Sequence, residues 1–67
     1  MTHVDITMIF GRDEMAKKEF AKNVQNFLAD ELGIDKSFVS VSIEDILKEK
    51  WQEHIENMND KVMFIKP

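Results

Sequence analysis

The chain has 67 residues, no cysteine, and thirteen acidic against nine basic side chains, a formal charge of −4. That composition excludes disulfides and thiolate metal sites and argues against a general affinity for nucleic acid or an anionic membrane. It also fits a reducing compartment, and a chain this short buries too little surface for a robust core of its own. A single domain spanning residues 1–67 is expected, stabilised by self-association, because the two histidines, His3 and His54, have no metal-ligand spacing. No apolar run reaches the length of a membrane span, and Asp5 and Thr7 stand where a secretory signal needs basic and then hydrophobic residues. A cytoplasmic protein is the default expectation.

The first ten residues alternate. Val4, Ile6, Met8 and Phe10 share one face and His3, Asp5, Thr7 and Ile9 the other, the pattern of a half-buried strand that runs into Gly11-Arg12. Between Arg12 and Leu32 the period changes to three and four. Ala16, Phe20, Ala21, Val24, Phe27, Leu28 and Leu32 form an apolar stripe, with Lys17, Lys18, Lys22, Gln25, Asn26 and Asp30 outside it. Asp13 suits the N-cap and Glu14 the positive helix end, and Gly33 with Ile34 suits a Schellman ending.

After the polar turn Asp35-Lys36-Ser37, alternation returns from Phe38 to Glu44, with Val39, Val41 and Ile43 opposite Phe38, Ser40, Ser42 and Glu44. Strand, helix and strand with short connections make a βαβ unit in the α/β (α+β) class, with two parallel strands and a right-handed crossover. One helix covers one sheet face. The other, with Asp5, Thr7, Ile9, Phe38, Ser40 and Ser42, is too polar for a dry core and too apolar to stay bare, so it is expected to meet another subunit across polar cavities. Leu47, Trp51, Ile55 and Met58 predict a short C-terminal helix around Lys48 to Asn57. Asn59-Asp60 reads as a turn, and Val62 to Ile65 could add a final short strand. Met8, Met15, Met58 and Met63 read as core or interface filler, and His54 as a plain surface residue.

Taken in order, the strand from Thr2, Gly-Arg-Asp-Glu at 11 to 14, the lysine-rich helix, Leu-Gly at 32 and 33, Val-Ser-Val-Ser-Ile-Glu-Asp at 39 to 45 and Lys-Trp at 50 and 51 resemble the tautomerase superfamily. The likeness is greatest to its short bacterial 4-oxalocrotonate tautomerase-like members of the PptA type, and it runs without gaps from Thr2 to about Trp51. No single motif is specific, but the ordered set is. The resemblance implies βαβ subunits assembled as a dimer, or as a hexamer built as a trimer of dimers. It further implies a cofactor-independent isomerase that interconverts enol and keto forms of a small 2-oxo acid or related carboxylate.

In that family the base is an N-terminal proline freed by removal of the initiator methionine. Here the matching position is Thr2. A terminal amine, about 7.7 to 8.0 in model peptides, starts nearer the operating pH than lysine does, and a partly desolvated site lowers it further. With Met1 removed, Thr2 supplies a primary amine at that place. With Met1 retained, its nitrogen is a non-basic amide.

Arg12 matches the family arginine that binds substrate carboxylate, a task suited to its planar fork of donors, although a surface arginine beside a helix start looks the same in sequence. Ser40 stands where the hexameric members carry a second arginine that polarises the carbonyl. Serine cannot replace that charge, and the PptA-type members lack it too. Trp51 matches the aromatic wall of the site and reads equally well as a core aromatic of the C-terminal helix. His3 follows the terminal residue, where it either orients substrate or is a satisfied strand histidine. Three readings remain: the tautomerase-type isomerase, a catalytically silent oligomeric binding protein that keeps the fold after losing its base, and an unrelated βαβ interaction module. The resemblance disfavours the third.

Overall fold

A computed structural model describes residues 1–67. Strand β1 (Thr2–Ile9) leads through Gly11-Arg12 into helix α1 (Glu14–Leu32). A turn of 3-10 helix (Lys36–Phe38) starts strand β2 (Val39–Ile46), helix α2 (Lys48–Glu56) follows, and a second 3-10 turn covers Asp60–Val62. The two strands pair in parallel, with Thr2 opposite Val39, Asp5 opposite Ser42 and Ile9 opposite Ile46.

Both ends of α1 are built as the sequence predicts. The Asp13 carboxylate accepts from the Ala16 amide at 2.7 Å and so satisfies one of the free donors of the first turn. At the other end Gly33 sits at φ 66°, and the Gly33 and Ile34 amides donate to the Asp30 and Ala29 carbonyls, the two bonds of a Schellman ending.

Alternation in β1 puts Val4, Ile6 and Met8, half-buried, on the face of the sheet against whose other strand α1 packs. Val39, Val41 and Ile43 of β2 continue that layer, and Ala29 and Val39 are its two fully buried residues. The face of α1 that meets the sheet is Lys17, Ala21, Val24, Gln25, Leu28 and Ala29. Part of the expected apolar stripe therefore misses the sheet: Phe20 and Phe27 lie on an exposed flank, Phe27 at 64%. A stripe wider than two strands can cover leaves its margin over. Polar atoms join the layers as well. Gln25 Nε2 donates to the Lys36 and Val39 carbonyls at 2.9 and 3.0 Å, and Lys17 Nζ donates to Asp45 Oδ2 at 2.7 Å while also pairing with Glu14 at 3.0 Å.

Two expectations need correction. No final strand forms over Val62–Ile65: Val62 closes a 3-10 turn, and Phe64 and Ile65 are 94% and 90% exposed. A strand needs a ladder partner, and the only sheet in the chain consists of β1 and β2. Phe38 also falls in the 3-10 turn instead of β2 and is half exposed, because Asp35 caps that turn by accepting from the Ser37 amide at 2.9 Å. No helix is long and apolar enough to cross a membrane.

Candidate active site on the open sheet face

The face of the sheet turned away from α1 carries His3, Asp5 and Thr7 from β1 and Ser40, Ser42 and Glu44 from β2. Period-two spacing aligns His3 and Asp5 on one strand with Ser40 and Ser42 on the other, and the register places His3 opposite Ser40 and Asp5 opposite Ser42. The result is a continuous hydrogen-bond chain. Ser40 Oγ lies 2.7 Å from His3 Nδ1, Ser42 Oγ lies 2.9 Å from His3 Nε2, and Ser42 Oγ donates to Asp5 Oδ1 at 2.6 Å.

Asp5 is held below the ordinary carboxylate value, first by the Ser42 hydroxyl and then by its hydrogen bond with Glu44. Glu44 is pushed the other way, because the hydrogen bond and negative charge of Asp5 favour its protonated form. As pH rises, Asp5 therefore ionises before Glu44.

Helix α2 closes the far half of this face. His54 Nε2 lies 3.1 Å from Thr7 Oγ1, and the Trp51 ring centroid is 5.9 Å from that of His54. Both side chains are half-buried, so His54 is a contact between α2 and β1, not the plain surface residue expected. In sequence its only signal is the spacing of three from Trp51, which puts both on one helix face.

The expected site residues thus fall at three places along the sheet. Thr2, His3 and Ser40 lie together at the start of the strands, with His3 and Ser40 in direct contact. Arg12 follows the other end of β1, whose 8 residues span roughly 26 Å, and it forms no ion pair within the chain. Trp51 is held near Thr7 through His54, about 17 Å along the strand from Thr2. One chain encloses no pocket, and no group of three His, Cys, Asp or Glu side chains is placed to hold a metal ion.

A parallel βαβ unit thus carries a polar cluster at the head of its strands and an arginine without an ion pair at the strand-helix junction. The family model described as Tautomerase enzyme matches residues 3–59. The chain belongs to the tautomerase family. A relative from Xylella fastidiosa (strain 9a5c), named "Probable tautomerase", is 33% identical over 55 residues, which cover 82% of this chain and 67% of the relative. In this tautomerase-family chain Ser42, Asp5 and Glu44 join His3 and Ser40 in the cluster, a grouping the residue types alone did not single out. The available signal was the pair of motifs His-x-Asp and Ser-x-Ser, which meet only once the register is known.

Proposed function

We propose that the protein is a cofactor-independent isomerase of the cytoplasm that interconverts the enol and keto forms of a small 2-oxo acid. Membership of the tautomerase family carries this reading. The terminal amine of Thr2, once Met1 is removed, is the acid/base group, and Arg12 binds the substrate carboxylate through its fork of donors. Trp51 excludes water from the site, while His3 and Ser40 orient the substrate oxygen.

The separation of Thr2 from Arg12 requires two chains. A second copy brings its own strand-helix junction to the terminus of the first and covers the open face, as a dimer or as a trimer of dimers. Three features support this: only Ala29 and Val39 are fully buried, the side chains of Phe27, Phe64 and Ile65 are exposed, and the two-stranded sheet is marginal by itself.

Turnover of phenylenolpyruvate, followed by loss of enol absorbance, tests the proposal together with Thr2→Pro and Arg12→Ala. Conversion faster than buffer by the natural chain, weakened by Arg12→Ala, is expected. No conversion by either the natural chain or Thr2→Pro would sink it. A second reading, a silent oligomeric carboxylate-binding protein, is favoured by Thr2 standing in place of the family proline. Activity gained only in Thr2→Pro would select that reading.

A further inference from the structure

We propose that Ser40, His3, Ser42 and Asp5 form a proton relay in which Ser40 meets the substrate oxygen and His3 exchanges the proton through it. The inference rests on the isomerase reading above and deepens it, since it gives the site an acid/base device besides the terminal amine.

Proton counting along the chain fixes its polarity. A serine hydroxyl has one proton to donate. Ser42 gives that proton to Asp5 Oδ1 at 2.6 Å, so toward His3 Nε2, 2.9 Å away, Ser42 Oγ can only accept. His3 must therefore carry a proton on Nε2, and in neutral imidazole Nδ1 is then the free base. Ser40 Oγ stands 2.7 Å from that Nδ1 and donates to it. When His3 takes up a second proton, Nδ1 becomes the donor and the Ser40 hydroxyl rotates to accept, so both protonation states are satisfied without movement of the backbone. The Asp5 charge, passed through Ser42, stabilises the imidazolium. This is the logic of a nucleophile or acid, a base and an orienting carboxylate, with one hydroxyl interposed.

In the enol-to-keto direction the enol O–H bond breaks and its proton passes to Ser40 Oγ as the Ser40 proton moves to His3 Nδ1. The released O–H electron pair becomes the carbonyl π bond. The C=C electron pair takes a proton at carbon from the terminal ammonium. His3 ends as imidazolium and the amine as neutral base, and exchange with water restores both. Within the relay Ser40 meets the substrate oxygen directly, and His3 orients that oxygen through it. His3, Ser42 and Asp5 act through it as positioning residues.

Titratable groups stand near His3 on three elements. Asp5 faces it from β1, Glu44 stands beside Asp5 on β2, and His54 on α2 is near enough to act on the charges of both carboxylates. The Thr2 amine lies one residue before it, and α1 occupies the other sheet face.

Nitrogen NMR of the His3 ring and the pH dependence of phenylenolpyruvate turnover, both on the full chain, test the relay. The neutral ring is expected as the Nε2–H tautomer, with Ser42→Ala and Asp5→Asn mixing the two tautomers. His3→Gln and Ser40→Ala are expected to lower kcat by about a hundredfold, a typical acid/base contribution. The limb of the rate profile that depends on the relay should vanish in both and shift in Asp5→Asn. A neutral Nδ1–H tautomer in the natural protein overturns the relay, and so does a natural enzyme whose profile survives His3→Gln unchanged. Absence of turnover in the natural protein overturns the isomerase reading itself and the relay's catalytic role with it.

Discussion

His54 of α2 and Thr7 of β1, 47 positions apart in sequence, are joined at 3.1 Å across the open face of the sheet. That contact fixes where the C-terminal helix lies, and with it Trp51, whose ring packs against His54. Thr7→Val removes the hydroxyl while keeping the shape and leaves a half-buried imidazole nitrogen without its partner. A loss of about 1 kcal/mol is expected in urea unfolding, the usual worth of such a bond. Faster amide exchange in α2 than in α1 should accompany it. An α2 as protected as in the natural chain would show that Thr7 does not hold the helix.

Asp5 and Glu44 give stability a pH dependence of known sign. Glu44 is raised above its ordinary 4.5, so the favourable protonated form in the fold is fully present below 4.5 and is lost as pH rises through the higher folded value. Asp5 is lowered from 3.8, so its contribution is present above 3.8 and is lost as pH falls through the lower folded value. Glu44→Gln keeps a donor facing Asp5 and removes the repulsion. It should raise Tm at neutral pH and lose that advantage below the ordinary Glu value. A Tm difference independent of pH would contradict the pairing.

The two ends of α1 can be tested in thermal melts. Asp13→Ala removes the acceptor of the Ala16 amide and should cost about 1 kcal/mol. Gly33→Ala meets no steric obstacle, since nothing lies within 4 Å of the added carbon, but it forces a side chain to adopt φ 66°. A cost of about 1 kcal/mol from that strain alone is expected. If Gly33→Asn proves closer to the natural chain than Gly33→Ala, the left-handed conformation is the cause.

Arg12 has no ion-pair partner in the chain, so Arg12→Ala should leave Tm unchanged at equal oligomeric state. Loss of a charge-assisted carboxylate contact should instead raise KM about tenfold or more. A lowered Tm with unchanged KM would assign Arg12 to structure.

Assembly predicts a Tm that climbs with protein concentration, because association stabilises only the folded chain. Light scattering should give a mass above that of the 7.9 kDa chain. Phe64→Asp with Ile65→Asp should reduce both effects if the exposed tail lies in the interface. A concentration-independent Tm together with a monomer mass would refute the two-chain site.

Local chemistry carried most of the fold. Two stretches of period two, Val4 to Phe10 and Val39 to Ile43, flank one of period 3.6, and Asp13 and Gly33 bound it. These are properties of neighbouring residues, and the parallel β1–α1–β2 unit with the short α2 follows from them. The tail illustrates the limit of that reasoning. Val62 to Ile65 has the composition of a strand, yet composition cannot supply a ladder partner, and the chain turns at Asp60–Val62 instead.

The cluster on the open face shows the same division. The sequence by itself determined that His3, Asp5, Ser40 and Ser42 share a face, because side-chain direction in a strand depends only on parity. Which of them touch was decided by tertiary structure, since sliding one strand along the other changes every cross-strand partner. The parallel register that sets Asp5 opposite Ser42 turned four separate polar residues into one hydrogen-bonded chain beside the terminus. The same extended backbone puts the eight residues of β1, roughly 26 Å of strand, between Thr2 and the junction that carries Arg12, for a strand holds its ends apart and no rotamer can close that distance.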